Sequence, residues 1–414
     1  MLFPLRQRPG PPPRVVITGA GLVTALGLGW RANADGFRHG RSAVRPVTLF
    51  DVSRQRARHA AEVDLPADLP PVPISRRTAL RLERAARMLL WAGWEATTQA
   101  HWHGSDDPTP IILGTTSGGM TLGEDYFRAA VTQPRARRDQ PTRVVHYQAQ
   151  RQAQDLAAAL RLRGPLTLIA NACASGANAL GHAWDLLRSG ASERVLTGGF
   201  DALSQLVFAG FDSLQALSTT RCRPFDATRD GLALGEGAAV LCLETLAHAQ
   251  QRGAEILGEL VGYGAATDAH HLTQPHPAGD AALAAMHQAC QRAGLAPAAI
   301  GYLNAHGTGT PLNDSAEAAA INRWAGDHAA HLPVSSTKAA IGHTLGAAGA
   351  IEAVVCLMAL REQWLPPNAS PASLDPACRF PLVTTPQNAS LDFALSNSFG
   401  FGGANASLVF RRWP

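Results

Sequence analysis

The chain has 414 residues, 46% hydrophobic and 16% charged, which supports a large buried core and excludes a disordered chain. Its 36 basic and 32 acidic residues leave a net charge of +4, too small an excess for a general nucleic-acid binder. No run of about 18 apolar residues is free of charge or glycine, which argues against a membrane span, and six scattered cysteines without a C-x-x-C pair suit a reducing cytoplasm.

In chain order, residues 1–13 are proline-broken, lack an apolar signal core and read as a short disordered arm. Arg14 to Gly21 predicts a buried strand entering a tight turn at its glycines. The G-A-G-L-V-T there is not a dinucleotide fingerprint, because Thr24 replaces the third glycine and no strand-end acid follows. Residues 42–74 read as irregular surface, and Arg76–Ala100 as one helix with Arg77, Arg81, Arg84 and Arg87 interleaved. Buried strands follow at Pro110–Gly114, Leu166–Ala170, Arg194–Gly199, Ala238–Glu244 and Glu255–Tyr263, completing a first half over 14–264. The second half, 265–414, takes helices at Ala281–Ala293, Ser315–Trp324 and Gly346–Arg361. Its strands fall at Ile300–Asn304, Leu332–Ser335, Leu391–Ser396 and Ser407–Phe410. This alternation predicts a layered α/β fold with buried sheets. A strand runs into a Gly/Thr/Ser-rich loop in each half, which points to an internal duplication.

Chemistry concentrates in four motifs. A-C-A-S-G places Cys173 between a strand and a helix, with small neighbours that permit a sharp turn. A thiol at a helix N-terminus is expected to favour thiolate; moving its pKa from about 8.5 toward 7 takes about 2 kcal/mol. N-A-H-G-T-G-T puts His306 on a loop, and S-S-T-K-A-A-I-G-H-T-L-G-A-A-G joins Lys338 to His343. Thirty-five of the 36 basic residues are arginine, so this single lysine marks a place where a compact ammonium is needed. The tail N-S-F-G-F-G-G-A-N carries Phe399 and Phe401 in a glycine-rich loop suited to gating. Neither H-E-x-x-H nor paired-Cys spacing is present, so no metal is expected.

Together and in this order, the motifs closely resemble β-ketoacyl-acyl carrier protein synthases, nearest the elongating Cys-His-His branch, from Val15 to Phe410. The resemblance implies a thiolase-like fold: two duplicated α/β halves in five layers (αβαβα), normally a homodimer. It implies that Cys173 takes the acyl group, that His306 and His343 are the catalytic histidines, and that Glu317 is the charged partner of Lys338. By the same matching, the amides of Cys173 and Phe401 form an oxyanion hole and Thr308 and Thr310 contact pantetheine. Ser117, Phe211 and Phe399 are expected in the substrate pocket. The reaction implied is decarboxylative condensation with malonyl-acyl carrier protein, without a cofactor of its own. An acidic carrier protein is the expected partner, docking at Arg77 and Arg81 or at Arg135, Arg137 and Arg138. Departures from the elongating enzymes point to a specialised ketosynthase, as for aryl polyenes or other type II polyketides: Ser117 replaces a bulky aliphatic, Ala404 a threonine and Gln215 a docking arginine. Housekeeping fatty-acid elongation is the alternative. A chain-length-factor-like subunit would lack Cys173, a thiolase would carry a second cysteine in its tail, and a cysteine hydrolase would leave Lys338 and one histidine unexplained. A heterodimer with a ketosynthase-like subunit stays open.

Overall fold

A computed structural model describes residues 10–102, 108–133, 146–369 and 373–414. Its principal strands are β1 (Val15–Thr24), β2 (Ile111–Gly114), β3 (Leu166–Ile169), β4 (Arg194–Asp201), β5 (Gly237–Thr245), β6 (Gly258–Thr267), β7 (Tyr302–Asn304), β8 (Val334–Ser335), β9 (Phe393–Gly400) and β10 (Ala404–Arg412). The helices that matter here are α1 (Arg84–Gln99), α2 (Met120–Thr132), α3 (Ala149–Leu160), α4 (Ser175–Arg188), α5 (Gln205–Ser213), α6 (Asp280–Ala293), α7 (Pro311–Ala325) and α8 (Ala348–Glu362).

The pairing order shows the duplication directly. In the first half it runs β1-β5-β4-β2-β3; in the second, β6-β10-β9-β7-β8. Both begin with two antiparallel steps and end with two parallel ones. The strand at 258–267, expected to close the first half, is therefore the opening strand of the second. Antiparallel pairing of Val15–Ile17 with Leu260–Gly258 joins the halves into one sheet. Helices α4 and α8 lie back to back between the half-sheets, with α1 and α3 outside one and α6 and α7 outside the other. This is the five-layered thiolase-like arrangement. Helix α8 is buried from Ala348 to Leu360, as a helix apolar on every side must be.

Three expectations about elements change. The glycines of G-A-G do not turn the chain; β1 continues through them to Thr24. A Cβ at Gly19 would lie 2.1 Å from the Ala96 carbonyl oxygen, and one at Gly21 1.9 Å from that of Ala92, so the glycines let α1 lie directly on the strand. The long Arg76–Ala100 helix is broken: a single turn at Arg76–Ala79 precedes α1, whose N-cap Glu83 accepts from the amides of Ala85 and Ala86. Arg77 and Arg81 are left exposed at this break, whereas Arg84 is bound to Glu236 and Arg87 to the Pro66 and Ala67 carbonyls. β3, expected to be buried, is half-buried and, among the described residues, an edge strand paired only with β2. Among the described residues, no helix is long and apolar enough to cross a membrane.

Candidate active site

Cys173 sits in a single tight turn, Ala172–Ala174, between β3 and α4. Ala172 has φ +57°, a strained conformation for an alanine, held by Ser175, whose hydroxyl donates to the Ala172 carbonyl and accepts from the Asn171 amide at 2.9 Å. The turn aims the sulfur into a pocket of about 340 Å³. His306, on the loop leaving β7, and His343, after the short helix Lys338–Ile341, line the same pocket. Their rings meet edge to face at 5.3 Å, and Phe399 tilts against His306 at 5.5 Å. A front-half thiol and two rear-half imidazoles thus face one space.

The Lys338 ammonium lies 3.4 Å from His306 Nδ1, and both groups are buried. An ammonium only donates, so Nδ1 accepts and the ring proton resides on Nε2. Burial, reinforced by Lys338, holds both imidazoles well below the ordinary histidine range; His343 adds to the effect on His306. Both rings are neutral at physiological pH. His343 Nδ1 is buried without a hydrogen-bond partner among the described residues.

Three expectations are corrected. The charged partner of Lys338 is Glu352 on α8, not Glu317, and Ser398 donates to the second Glu352 oxygen at 3.4 Å. Glu317 instead accepts from the backbone amides of His306 and Gly307 at 2.9 and 2.8 Å and from Asn397 at 3.2 Å, so it braces the histidine loop through its main chain. Burial pushes the Glu317 carboxyl up to about 7. The Cys173 thiol is not lowered: burial pushes it up to about 12, with Lys338 pulling the other way. Desolvation of the thiolate outweighs a helix terminus here. Ser117 does not line this pocket; its hydroxyl donates to Asp201 at 2.8 Å.

Other expected residues fall at the pocket wall. The Thr308 and Thr310 hydroxyls lie 2.8 Å apart on its rim. Phe401, 37% exposed, stacks on Phe211 at 5.7 Å. The gate loop is tied to the opposite rim by Gly402 N–H donating to Leu272 and Asp268 N–H to Gly403. A Cβ at Gly400 would stand 3.1 Å from the Cys173 amide nitrogen, so the missing side chain keeps the space beside that amide free. Arg135, Arg137 and Arg138 lie outside the described residues. Among those described, no three His, Cys, Asp or Glu side chains converge as a metal-binding set. Sequence reasoning missed Glu352 and Asp201; each was visible as a lone acid in or ending an apolar segment.

A doubled α/β fold with a cysteine and two neutral histidines converging on one cavity defines an acyltransferase of the thiolase-like class. The description Beta-ketoacyl synthase, N-terminal domain, matches residues 13–249, and its C-terminal counterpart matches 257–371. The 3-oxoacyl-(acyl-carrier-protein) synthase 2 of Synechocystis sp. is 38% identical over 412 residues, spanning 97% of this chain and 98% of its own. The ishigamide ketosynthase/chain length factor superposes with a TM-score of 0.91 at 32% identity, covering 97% of this chain and 100% of that one. A type II polyketide synthase acyl-carrier protein in complex with its ketosynthase gives a TM-score of 0.88 at 27% identity, covering 97% and 100%. The chain belongs to the β-ketoacyl synthase family, enzymes that form carbon–carbon bonds by condensation in fatty-acid elongation or polyketide synthesis.

Proposed function

We propose that Cys173 carries the growing acyl chain and that His306 and His343 drive condensation with a malonyl thioester. The observation that carries this reading is the shared cavity of all three side chains, with Lys338 fixing the His306 proton on Nε2. In the first half-reaction the Cys173 sulfur attacks the acyl carbonyl, the amides of Cys173 and Phe401 hold the oxyanion, and the carrier thiol departs with the proton. Each such donor is worth about 2.7–4 kcal/mol. Malonyl then enters, its carboxylate leaves as carbon dioxide, and the bonding electrons pass to an enolate. The neutral Nε2–H of His306 and the His343 ring stabilise that oxygen as its charge develops. The carbanion attacks the acyl carbon, the carbon–sulfur bond breaks and Cys173 regains a proton from solvent. Intact mass spectrometry tests this: acyl transfer should add the acyl mass at Cys173, and His306→Ala should remain acylable while releasing no carbon dioxide. Acylation at another residue overturns it.

The substrates ride on the phosphopantetheine of an acidic acyl carrier protein, with no resident cofactor. Exposed Arg77 and Arg81 offer it a basic face, and Leu214, Leu272 and Leu312 stand exposed around the pocket mouth. The six free cysteines fit a reducing cytoplasm. The division of the chain falls between β5 and β6. A second copy is proposed to cover the edge strand β3 and the apolar face of Phe127, Val131 and Leu206, with a ketosynthase-like subunit as the other outcome of native mass spectrometry. Specialised polyketide elongation is favoured by Gln215, which lines the pocket in place of a docking arginine. A panel of acyl carriers decides: preference for saturated medium-to-long chains returns the enzyme to fatty-acid elongation.

A further inference from the structure

Strand β4 ends in Asp201, a fully buried carboxylate that takes six hydrogen bonds from neutral donors. Thr115 Oγ1, the Thr116 and Ser117 amides and Ser117 Oγ all donate at 2.8 Å, the Gly346 amide at 2.7 Å and the Gly118 amide at 3.3 Å. Four of these donors are backbone amides, which cannot accept, so the site is shaped for the ionised carboxylate. Burial alone pushes its pKa up. Among the described residues no cationic side chain pairs with this buried charge, an arrangement that is costly and calls for a reason.

The reason lies in what Asp201 joins. The 115–118 loop belongs to the first half; Gly346 follows His343 by three residues and belongs to the second. A Cβ on Gly346 would lie 2.5 Å from the Thr116 amide nitrogen and 2.7 Å from Asp201 Oδ2. One on Gly176, in the first turn of the Cys173 helix, would lie 2.8 Å from the Gly346 carbonyl oxygen. Between His343 and Gly346, Leu345 is held at φ +54°. The tie therefore sits where the nucleophile's helix, the 115–118 loop and the His343 segment converge.

We infer that Asp201 is a positioning residue that clamps the His343 segment onto the Cys173 helix and so sets the spacing of thiol and imidazole across the two halves. The clamp's charge also reaches the thiol. Asp201 and Glu352 oppose thiolate formation at Cys173 and Lys338 favours it, while the neutral His306 and His343 complete the ring of titratable groups. Glu83, the further carboxyl that feels Asp201, is pushed up to about 7, mainly by burial.

The kinetic consequence rests on the proposed condensation, whereas the thiol chemistry does not, so two measurements separate the readings. Asp201→Asn keeps the shape but turns an NH2 group toward donors. It should lower kcat for condensation by about ten- to a hundredfold, with the acyl-carrier KM changed much less. Iodoacetamide alkylation of Cys173, which needs no substrate, should shift to lower pH by about half a unit because an anion has been removed. Should Asp201→Asn fail to fold, Thr115→Val, which deletes a single donor, carries the test and should lower kcat several-fold. Wild-type kcat per folded molecule together with an unmoved alkylation profile overturns the inference. A wild-type enzyme that alkylates normally but accepts no acyl group overturns the proposed function, and the shifted profile of Asp201→Asn still stands.

Discussion

Lys338 and Glu352 form the energetic hinge of the residue scale. Both are 1% exposed, so removing one charge strands the other in a dry interior. Glu352→Gln should destabilise the fold by about 3–5 kcal/mol in denaturant titration and release the Lys338 ammonium from its anchor. A loss below 1 kcal/mol, about that of a surface pair, would contradict this. The pair was legible in principle. Glu352 is the single acid within G-A-I-E-A-V-V-C-L-M-A-L, and an acid in so apolar a helix must meet a cation when the helix is buried. Resemblance pointed to Glu317, which follows the histidine motif in sequence, but its carboxylate is spent on backbone amides. The histidines carry their own prediction. Their folded pKa values are depressed, so the neutral, proton-donating form persists as pH falls through 6.5 and is lost only at lower pH. The acid limb of malonyl decarboxylation should therefore lie well below the 6.5 of a free imidazole. A limb at 6.5 in the pH–kcat profile would mean that the rings titrate as if in water.

At the scale of elements, the gate and the nucleophile turn act as one device. Gly400 ends β9 against the Cys173 amide, so Gly400→Ala would crowd that amide and intrude on the oxyanion position. Losing one oxyanion donor typically slows the chemistry about a hundred- to a thousandfold. Stopped-flow acylation should show that loss while the melting temperature changes little, and an unchanged acylation rate would remove the amide from the mechanism. Elements with strong periodicity were readable from sequence, including α1, α6 and α8. What was not readable was the effect of close approach. Gly19 and Gly21 look like a turn because a one-dimensional sequence does not display the helix lying on them. The thiol was misjudged for a related reason: a helix terminus is visible in sequence, and the desolvation that overrides it is not.

For the whole molecule, the repeated strand order was only faintly readable, because the halves share topology rather than residues. Its surface makes the remaining prediction. Phe127, 71% exposed, and Val131, 62% exposed, project from α2 and line a surface groove with Leu206. Phe127→Glu should shift the protein toward monomer in native mass spectrometry and leave its circular dichroism intact; a retained dimer would place the interface elsewhere. The pairing of β1 on both flanks has a further consequence, for biogenesis. Apart from the two-residue strand Gly27–Leu28 that pairs with its end, β1 has no strand partner until β5 and then β6 are synthesised, more than two hundred residues later. A nascent chain halted short of that point therefore exposes an apolar ribbon on both sides, an obvious client for a chaperone.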